Sequence, residues 1–106
     1  MEIKDIFFDS EIIVSNTNLN GNAKGIKCDS RKVEKGDIFF SFSKQKEQNL
    51  MFCEKSLKKG AICVVSEFNM PNHMPFIMTN NIRKNFALAC KNFYKKACDK
   101  LKIIAV

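Results

Sequence analysis

The sequence has no tryptophan, one histidine and only four glycines, and these shortages exclude several classes of site. Phosphate loops and dinucleotide-binding loops need glycines clustered at fixed spacing, and the nucleophile elbow needs Gly-x-Ser-x-Gly. The sequence contains none of these patterns. A zincin pattern needs two histidines, whereas His73 stands alone in a segment that holds both prolines. The sequence therefore predicts no self-contained catalytic site.

The five cysteines do not follow a metal-ligand pattern. They stand at positions 28, 53, 63, 90 and 98, and no two of them form a Cys-x-x-Cys pair. A structural zinc site takes four Cys or His ligands at short spacing. We therefore expect reduced, mostly buried thiols and no metal bound to this chain.

Long apolar runs are also missing. No stretch approaches the roughly 20 consecutive apolar residues of a membrane helix. The N-terminal stretch MEIKDIFFDSE has mixed charge and a short apolar run, which is unlike a signal peptide. These two absences predict a cytoplasmic protein with no membrane partner.

What the sequence does have is enough apolar material for one folded domain. It is 106 residues long and 45% hydrophobic, with ten phenylalanines. Its net charge of +7 favours a polyanionic partner, either nucleic acid or a phosphate-bearing small molecule. A nucleic-acid surface usually interleaves aromatic and basic residues, and this chain has one tyrosine and phenylalanines at core positions. We therefore expect no nucleic-acid partner, and keep that function as the weaker alternative.

Apolar periodicity predicts the order β-β-α-β-β-α-β, an α/β fold with a mixed sheet of about five strands flanked by helices. Residues 3–8 fit either a short helix or a strand, and the polar residues 43–49 indicate a loop. Gly60 fits the C-terminal cap of the first helix, and Asn80 or Asn81 fits the N-terminal cap of the second. The predicted strands are residues 25–29, 37–42, 61–67, 76–79 and 101–106, and the predicted helices begin near residues 50 and 82.

A group of three polar residues, Asp29, Ser30 and Arg31, follows the first predicted strand. One interpretation is local, because Asp and Ser stabilise turns by accepting hydrogen bonds from nearby backbone N–H groups. The other is functional, because a hydroxyl, backbone N–H groups and a guanidinium at a strand end can bind a phosphate. Residues 43–48 follow the neighbouring strand, so the two segments could together form a nucleotide-sized crevice. The residues alone leave both interpretations open.

Three stretches in order resemble the N-terminal domain of bacterial Mur ligases. GIKCDSRKVEKGDIFFSF is similar to the family pattern Gly-Ile-x-x-Asp-Ser-Arg-x-Val-x-x-Gly-Asp-Leu/Ile-Phe. FCEKSLKKGAICVVSE and IRKNFALACKNFYKKACDKLKIIAV are similar to the two family segments that follow. The resemblance covers residues 25–106. Within the family, the position of Phe93 and Tyr94 favours the ligase that adds a diamino acid to UDP-N-acetylmuramoyl-L-alanyl-D-glutamate over the one that adds D-alanyl-D-alanine.

The resemblance implies that different domains of the enzyme bind different ligands. Residues 1–106 would be a single N-terminal domain that grips the UDP end of a UDP-linked muramoyl peptide. The chain would end just before the phosphate loop of an ATP-binding central domain. ATP and Mg²⁺ would serve the full-length enzyme, an ATP-dependent acid–amino-acid ligase, and this chain alone would be neither catalytic nor cofactor-binding. Its partners would be the substrate and the central and C-terminal domains of the same enzyme.

The resemblance also implies particular site residues. UDP contacts fall on Cys28, Ser30 and the segment Gln45, Lys46 and Glu47, with that segment wrapping the uracil. Asp29 and Arg31 would support the strand end. The family usually has Gly-x-x-x-Asp-Gly after the second strand, but residues 44–49 here read KQKEQN, without either glycine or the aspartate.

Overall fold

The computed structural model describes the backbone of residues 1–100 and the side chains of residues 1–95. The helices are α1 (Ile3–Ile6), α2 (Lys46–Lys58) and α3 (Ile82–Lys100), and a short 3₁₀ turn spans Ser30–Lys32. The strands are β1 (Val14–Ser15), β2 (Gly25–Lys27), β3 (Asp37–Phe40), β4 (Cys63–Ser66) and β5 (Phe76–Met78).

The strands form one mixed sheet in the order β1-β5-β4-β3-β2. Strands β2 to β5 are parallel to one another, and β1 is antiparallel to β5. This confirms the predicted mixed sheet flanked by helices. The predicted strand at residues 101–106 lies outside the described residues. The fifth strand seen is β1, which the sequence did not predict.

Successive side chains of β3 point to opposite faces of the sheet, and each face packs against its own layer of helices. Ile38 and Phe40 belong to the core beneath α1 and α3, whereas Phe39 belongs to a second core beneath α2. All four residues of β3 are buried, and the strand pairs with β2 on one side and β4 on the other. The prediction of an interior strand with apolar residues on both faces is confirmed.

The start of α2 differs from the prediction. Residues 43–49 were expected to be a loop, but the helix begins at Lys46. Lys, Glu and Gln are good helix formers, so a polar segment does not prevent a helix. The hydroxyl of Ser43 accepts a hydrogen bond from the Gln45 backbone N–H at 3.3 Å and donates one to Gln48 Oε1 at 2.9 Å. These contacts stabilise the first turn.

Both predicted helix caps are found. Gly60 follows α2 with a φ of +110°, a conformation that favours glycine. A Cβ at Gly60 would lie 2.7 Å from Lys35 Cα, so the site needs glycine for space as well. Asn81 is the cap of α3, since its Oδ1 accepts a hydrogen bond from the Lys84 N–H at 3.1 Å. Glu67 adds a second acceptor, because its carboxylate accepts from the Ile82 N–H at 2.9 Å.

Candidate ligand-binding cleft

A cleft of about 580 Å³ lies where β2 and β3 end, between the 3₁₀ turn and α2. Crevices beyond the carboxyl ends of parallel strands are the usual ligand sites of α/β sheets. The cleft has two polar walls and an apolar surface between them. Its lining residues are Cys28, Asp29, Ser30, Arg31, Phe39, Phe42, Ser43, Gln48, Phe52 and Lys55.

The first wall is the turn that follows β2, and one ion pair stabilises it. The Asp29 carboxylate accepts hydrogen bonds from the Arg31 backbone N–H at 3.0 Å, from Nε at 3.1 Å and from Nη2 at 3.0 Å. These hydrogen bonds lower the pKa of Asp29 to about 2, and the same contact raises the pKa of Arg31. The two charges satisfy each other, which is the local, turn-stabilising interpretation of this sequence.

Ser30 sits between those two residues and contributes differently. Its carbonyl accepts a hydrogen bond from Lys59 Nζ at 3.0 Å, which joins the turn to the end of α2. Among the side chains that the structure describes, its hydroxyl has no hydrogen-bond partner. The hydroxyl of Ser30 is therefore available to a ligand in the cleft. Beside it, Cys28 is exposed as a free thiol.

The second wall is the segment between β3 and α2, and a buried asparagine holds it in place. Asn49 is fully buried. Its Nδ2 donates to the Ser43 carbonyl at 3.0 Å and to the Ser41 carbonyl at 3.5 Å, and its Oδ1 accepts from Ser66 Oγ at 2.8 Å. Ser66 in turn accepts from the Phe68 N–H at 2.9 Å. The network fixes the path of the chain from β3 into α2.

The surface between the walls is aromatic. Phe39 is buried beneath the cleft, and Phe42 and Phe52 line it at intermediate exposure. The Phe42 ring packs edge-on against Phe86, with ring centroids 5.3 Å apart, and the Arg83 guanidinium lies 5.4 Å from its centroid. A flat apolar surface between polar walls suits a heteroaromatic base attached to a polar group.

The structure brings together only part of the predicted site. Cys28, Asp29, Ser30 and Arg31 all line the cleft. The predicted ligand segment does not: Gln45, Lys46 and Glu47 are exposed and absent from the lining. Lys46 instead borders a separate cavity of about 310 Å³ with Leu50 and Asn69–Pro71. Because α2 begins at Lys46, the residues of this helix that reach the cleft lie further along it, at Gln48, Phe52 and Lys55.

Sequence reasoning missed several lining residues that one pattern could have found. Gln48, Phe52, Lys55 and Lys59 recur at helical spacing, so they share one face of α2. Three of them line the cleft, and the fourth bonds to the Ser30 carbonyl. The pattern was hidden because Gln48 was assigned to a loop rather than to the helix.

Two further classes of feature are absent from the part of the chain described. No group of three or more His, Cys, Asp or Glu side chains is placed to hold a metal ion. No described helix is long and apolar enough to cross a membrane.

Comparison with known proteins agrees with this fold. The chain is 33% identical to the UDP-N-acetylmuramoyl-L-alanyl-D-glutamate--2,6-diaminopimelate ligase of Clostridium tetani, with 100% of this chain and 23% of that protein covered. The solved structure of a ligase of the same name superimposes with a TM-score of 0.73 and 27% identity, over 92% of this chain. The chain is a homologue of the N-terminal region of Mur ligases. The predicted resemblance is therefore confirmed.

The Mur ligase relatives differ in the amino acid in their names. A relative from Streptococcus mutans, 33% identical over 76% of this chain, is a UDP-N-acetylmuramoyl-L-alanyl-D-glutamate--L-lysine ligase. Another, from Fusobacterium nucleatum, is 29% identical over 89% of the chain and is a 2,6-diaminopimelate ligase. The chain spans about a fifth of the length of these curated relatives, 16% and 20% respectively. No protein-family model matches the sequence.

Proposed function

We propose that this chain binds the uridine diphosphate end of UDP-N-acetylmuramoyl-L-alanyl-D-glutamate for an ATP-dependent ligase that adds a diamino acid to it. The observation that carries the proposal is the cleft at the ends of β2 and β3. The Ser30 hydroxyl lies on its wall and has no hydrogen-bond partner among the described residues. The names of the relatives support it, since the diaminopimelate and lysine ligases share the same nucleotide-linked dipeptide. The part of the substrate that they share is the part that this region would recognise.

In this proposal the uracil rests on the aromatic surface of Phe42 and Phe52, and the Ser30 hydroxyl donates to the ribose–diphosphate portion. Asp29 and Arg31 hold the strand end rigid and take no direct part. Binding at a remote nucleotide restricts where the distal D-glutamate carboxylate can lie. The cleft would thereby raise the rate of a reaction that takes place in another domain.

The second wall requires a revision of the sequence-based expectation. We assign its ligand contacts to Ser43 and Gln48, which line the cleft, in place of Gln45, Lys46 and Glu47. A helix that starts at Lys46 directs its first residues away from the cleft, whereas Gln48 lies on the same face as Phe52.

The ligation step itself would belong to other domains of a longer protein. The described residues do not fit an ATP–Mg²⁺ site, because they include no carboxylate cluster for the ion and the sequence has no phosphate loop. Residues of a central domain would hold ATP and Mg²⁺, which would supply the chemistry that activates the substrate carboxylate. This chain would bind and orient the other end of the same molecule.

Titration of the ¹⁵N-labelled chain with UDP, followed by amide chemical shifts, tests the proposal. We expect shifts at residues 28–31, 42–43, 48, 52 and 55, and little change at Asn69–Pro71, which line the other cavity. Shifts that avoid residues 28–31 would contradict the site. A single-stranded oligonucleotide serves as the second ligand: if it binds at low salt and UDP does not, the nucleic-acid alternative replaces this one.

A further inference from the structure

The charged residues of the cleft do not contribute equally. Its lining includes Asp29, Arg31 and Lys55. Arg31 and Asp29 are joined through two side-chain hydrogen bonds and cancel each other's charge. Lys55 has no ion-pair partner among the residues described. The net positive charge that the lining presents to a ligand is therefore that of Lys55.

The position of Lys55 on α2 directs it to the first wall. Lys59, one helical turn further on, has its Nζ 3.0 Å from the Ser30 carbonyl. Residues four apart lie on the same side of a helix, so Lys55 lies on the side that faces the 3₁₀ turn. Phe52 precedes it on that side and also lines the cleft. Lys55 therefore lies on the cleft side of α2, between Phe52 and Lys59 along the helix, and lines the cleft together with Ser30.

We infer that Lys55 binds the diphosphate in this cleft and so determines its preference for a nucleotide over a nucleoside. The inference rests on the proposed function and adds a residue that the sequence did not single out. A diphosphate needs a cation that is not already paired, and an ammonium group on a flexible stem can follow either phosphate.

The neighbouring cations are less suited to this role. The guanidinium of Arg31 would have to leave the Asp29 carboxylate, and Lys59 already donates to the Ser30 carbonyl. Lys46, which the resemblance indicated as a UDP contact, lies nine residues before Lys55 on the same helix. Nine residues turn the helix by roughly two and a half turns, which places Lys46 on the opposite side. There it borders the other cavity.

Three variants and two ligands test the inference. Lys55→Gln removes the charge, Lys55→Arg keeps it, and Lys91→Gln removes an equal charge from an exposed position on α3. UDP and uridine are titrated into each protein by NMR at constant ionic strength. We expect Lys55→Gln to weaken UDP binding by about fivefold, or about 1 kcal/mol, and to leave uridine binding within about twofold of the parent value. Lys55→Arg and Lys91→Gln should bind UDP like the parent chain.

The other possible outcomes distinguish a failure of the Lys55 inference from a failure of the proposed function. If Lys55→Gln binds UDP as tightly as Lys91→Gln does, or loses uridine and UDP equally, Lys55 does not bind the diphosphate. If the parent chain shows no UDP-dependent shifts in the cleft, the proposed function fails and this inference fails with it. Raising the salt concentration gives a second readout, because the parent chain should lose UDP affinity more steeply than Lys55→Gln.

Discussion

The two walls of the cleft are stabilised over different distances along the chain. In the first wall, Asp29 bonds to Arg31, two residues away, on the surface. In the second wall, Asn49 is buried and bonds to groups 6, 8 and 17 residues away. The first wall depends on exposed contacts, which are local apart from the one that Lys59 makes to the Ser30 carbonyl. The second depends on a buried network that forms only when β4 is in place. Changes to the second wall should therefore cost the fold far more than changes to the first.

The largest effect is expected at Asn49. Asn49→Ala would leave the Ser66 hydroxyl and two carbonyls without their partner in a buried site. Each unsatisfied buried group costs about 1–3 kcal/mol, so we expect the free energy of unfolding to fall by about 3 kcal/mol. Urea denaturation measures this loss. The matched control is Asn80→Ala at an exposed position, with a change below about 0.5 kcal/mol. A similar small loss for both variants would show that the network does not stabilise the second wall.

The difference in sequence separation between bonded residues also explains which features the sequence could predict. Asp29, Ser30 and Arg31 form a turn from adjacent residues, so the sequence predicts the turn directly. The buried face of α3 follows from the spacing of Ile82, Phe86 and Phe93, and is found as expected. These features depend on neighbours in the chain.

The features that sequence reasoning missed depend on distant residues. Asn49 reads as one more polar residue of a loop, and its burial becomes evident only when Ser66 lies beside it. Strand β1 has two residues and is defined by its pairing with Met78 and Ile77 of β5. The ligand segment 45–47 came from family resemblance at the very place where this chain lacks the family's glycines. The helix that replaces the loop carries Gln48, rather than Lys46, into the cleft.

A smaller effect is expected on the affinity for UDP rather than on the stability of the fold. Ser30→Ala removes a first-wall hydroxyl to which no described residue hydrogen-bonds, and we expect UDP to bind about fivefold more weakly. Lys46→Ala should change the affinity by less than about twofold, because that residue borders the other cavity. Isothermal titration calorimetry compares the two variants with the parent chain. The reverse order of effects would restore the ligand segment indicated by family resemblance and remove Ser30 from the site.

The rates at which cysteines of the two walls are modified can be compared in the parent chain, without any substitution. Cys28 is exposed on the first wall, whereas Cys53 is buried behind the second, where burial raises the pKa of its thiol to about 12. Because the thiolate is the reactive form, iodoacetamide at pH 8 should modify Cys28 far faster than Cys53. Peptide mass spectrometry follows both rates, and saturating UDP should slow the modification of Cys28 alone. Equal protection of both residues, or of neither, would contradict the position of the ligand.

The smallest effect concerns the ion pair of the first wall. The folded-state pKa of Asp29, about 2, lies below the ordinary value of 3.8, because Arg31 donates hydrogen bonds to its carboxylate. The stabilisation from this pair is therefore fully present above pH 3.8 and is lost as the pH falls through about 2. Carboxyl ¹³C shifts should show a midpoint near 2 in the parent chain and a higher midpoint in Arg31→Gln, still below 3.8 because the backbone N–H of residue 31 continues to donate to the carboxylate. A parent midpoint near 3.8 would mean that the pair does not persist in solution. Because the pair is exposed, its loss should leave the free energy of unfolding almost unchanged. The Asn49 network includes no carboxylate, so its contribution should not depend on pH in this range.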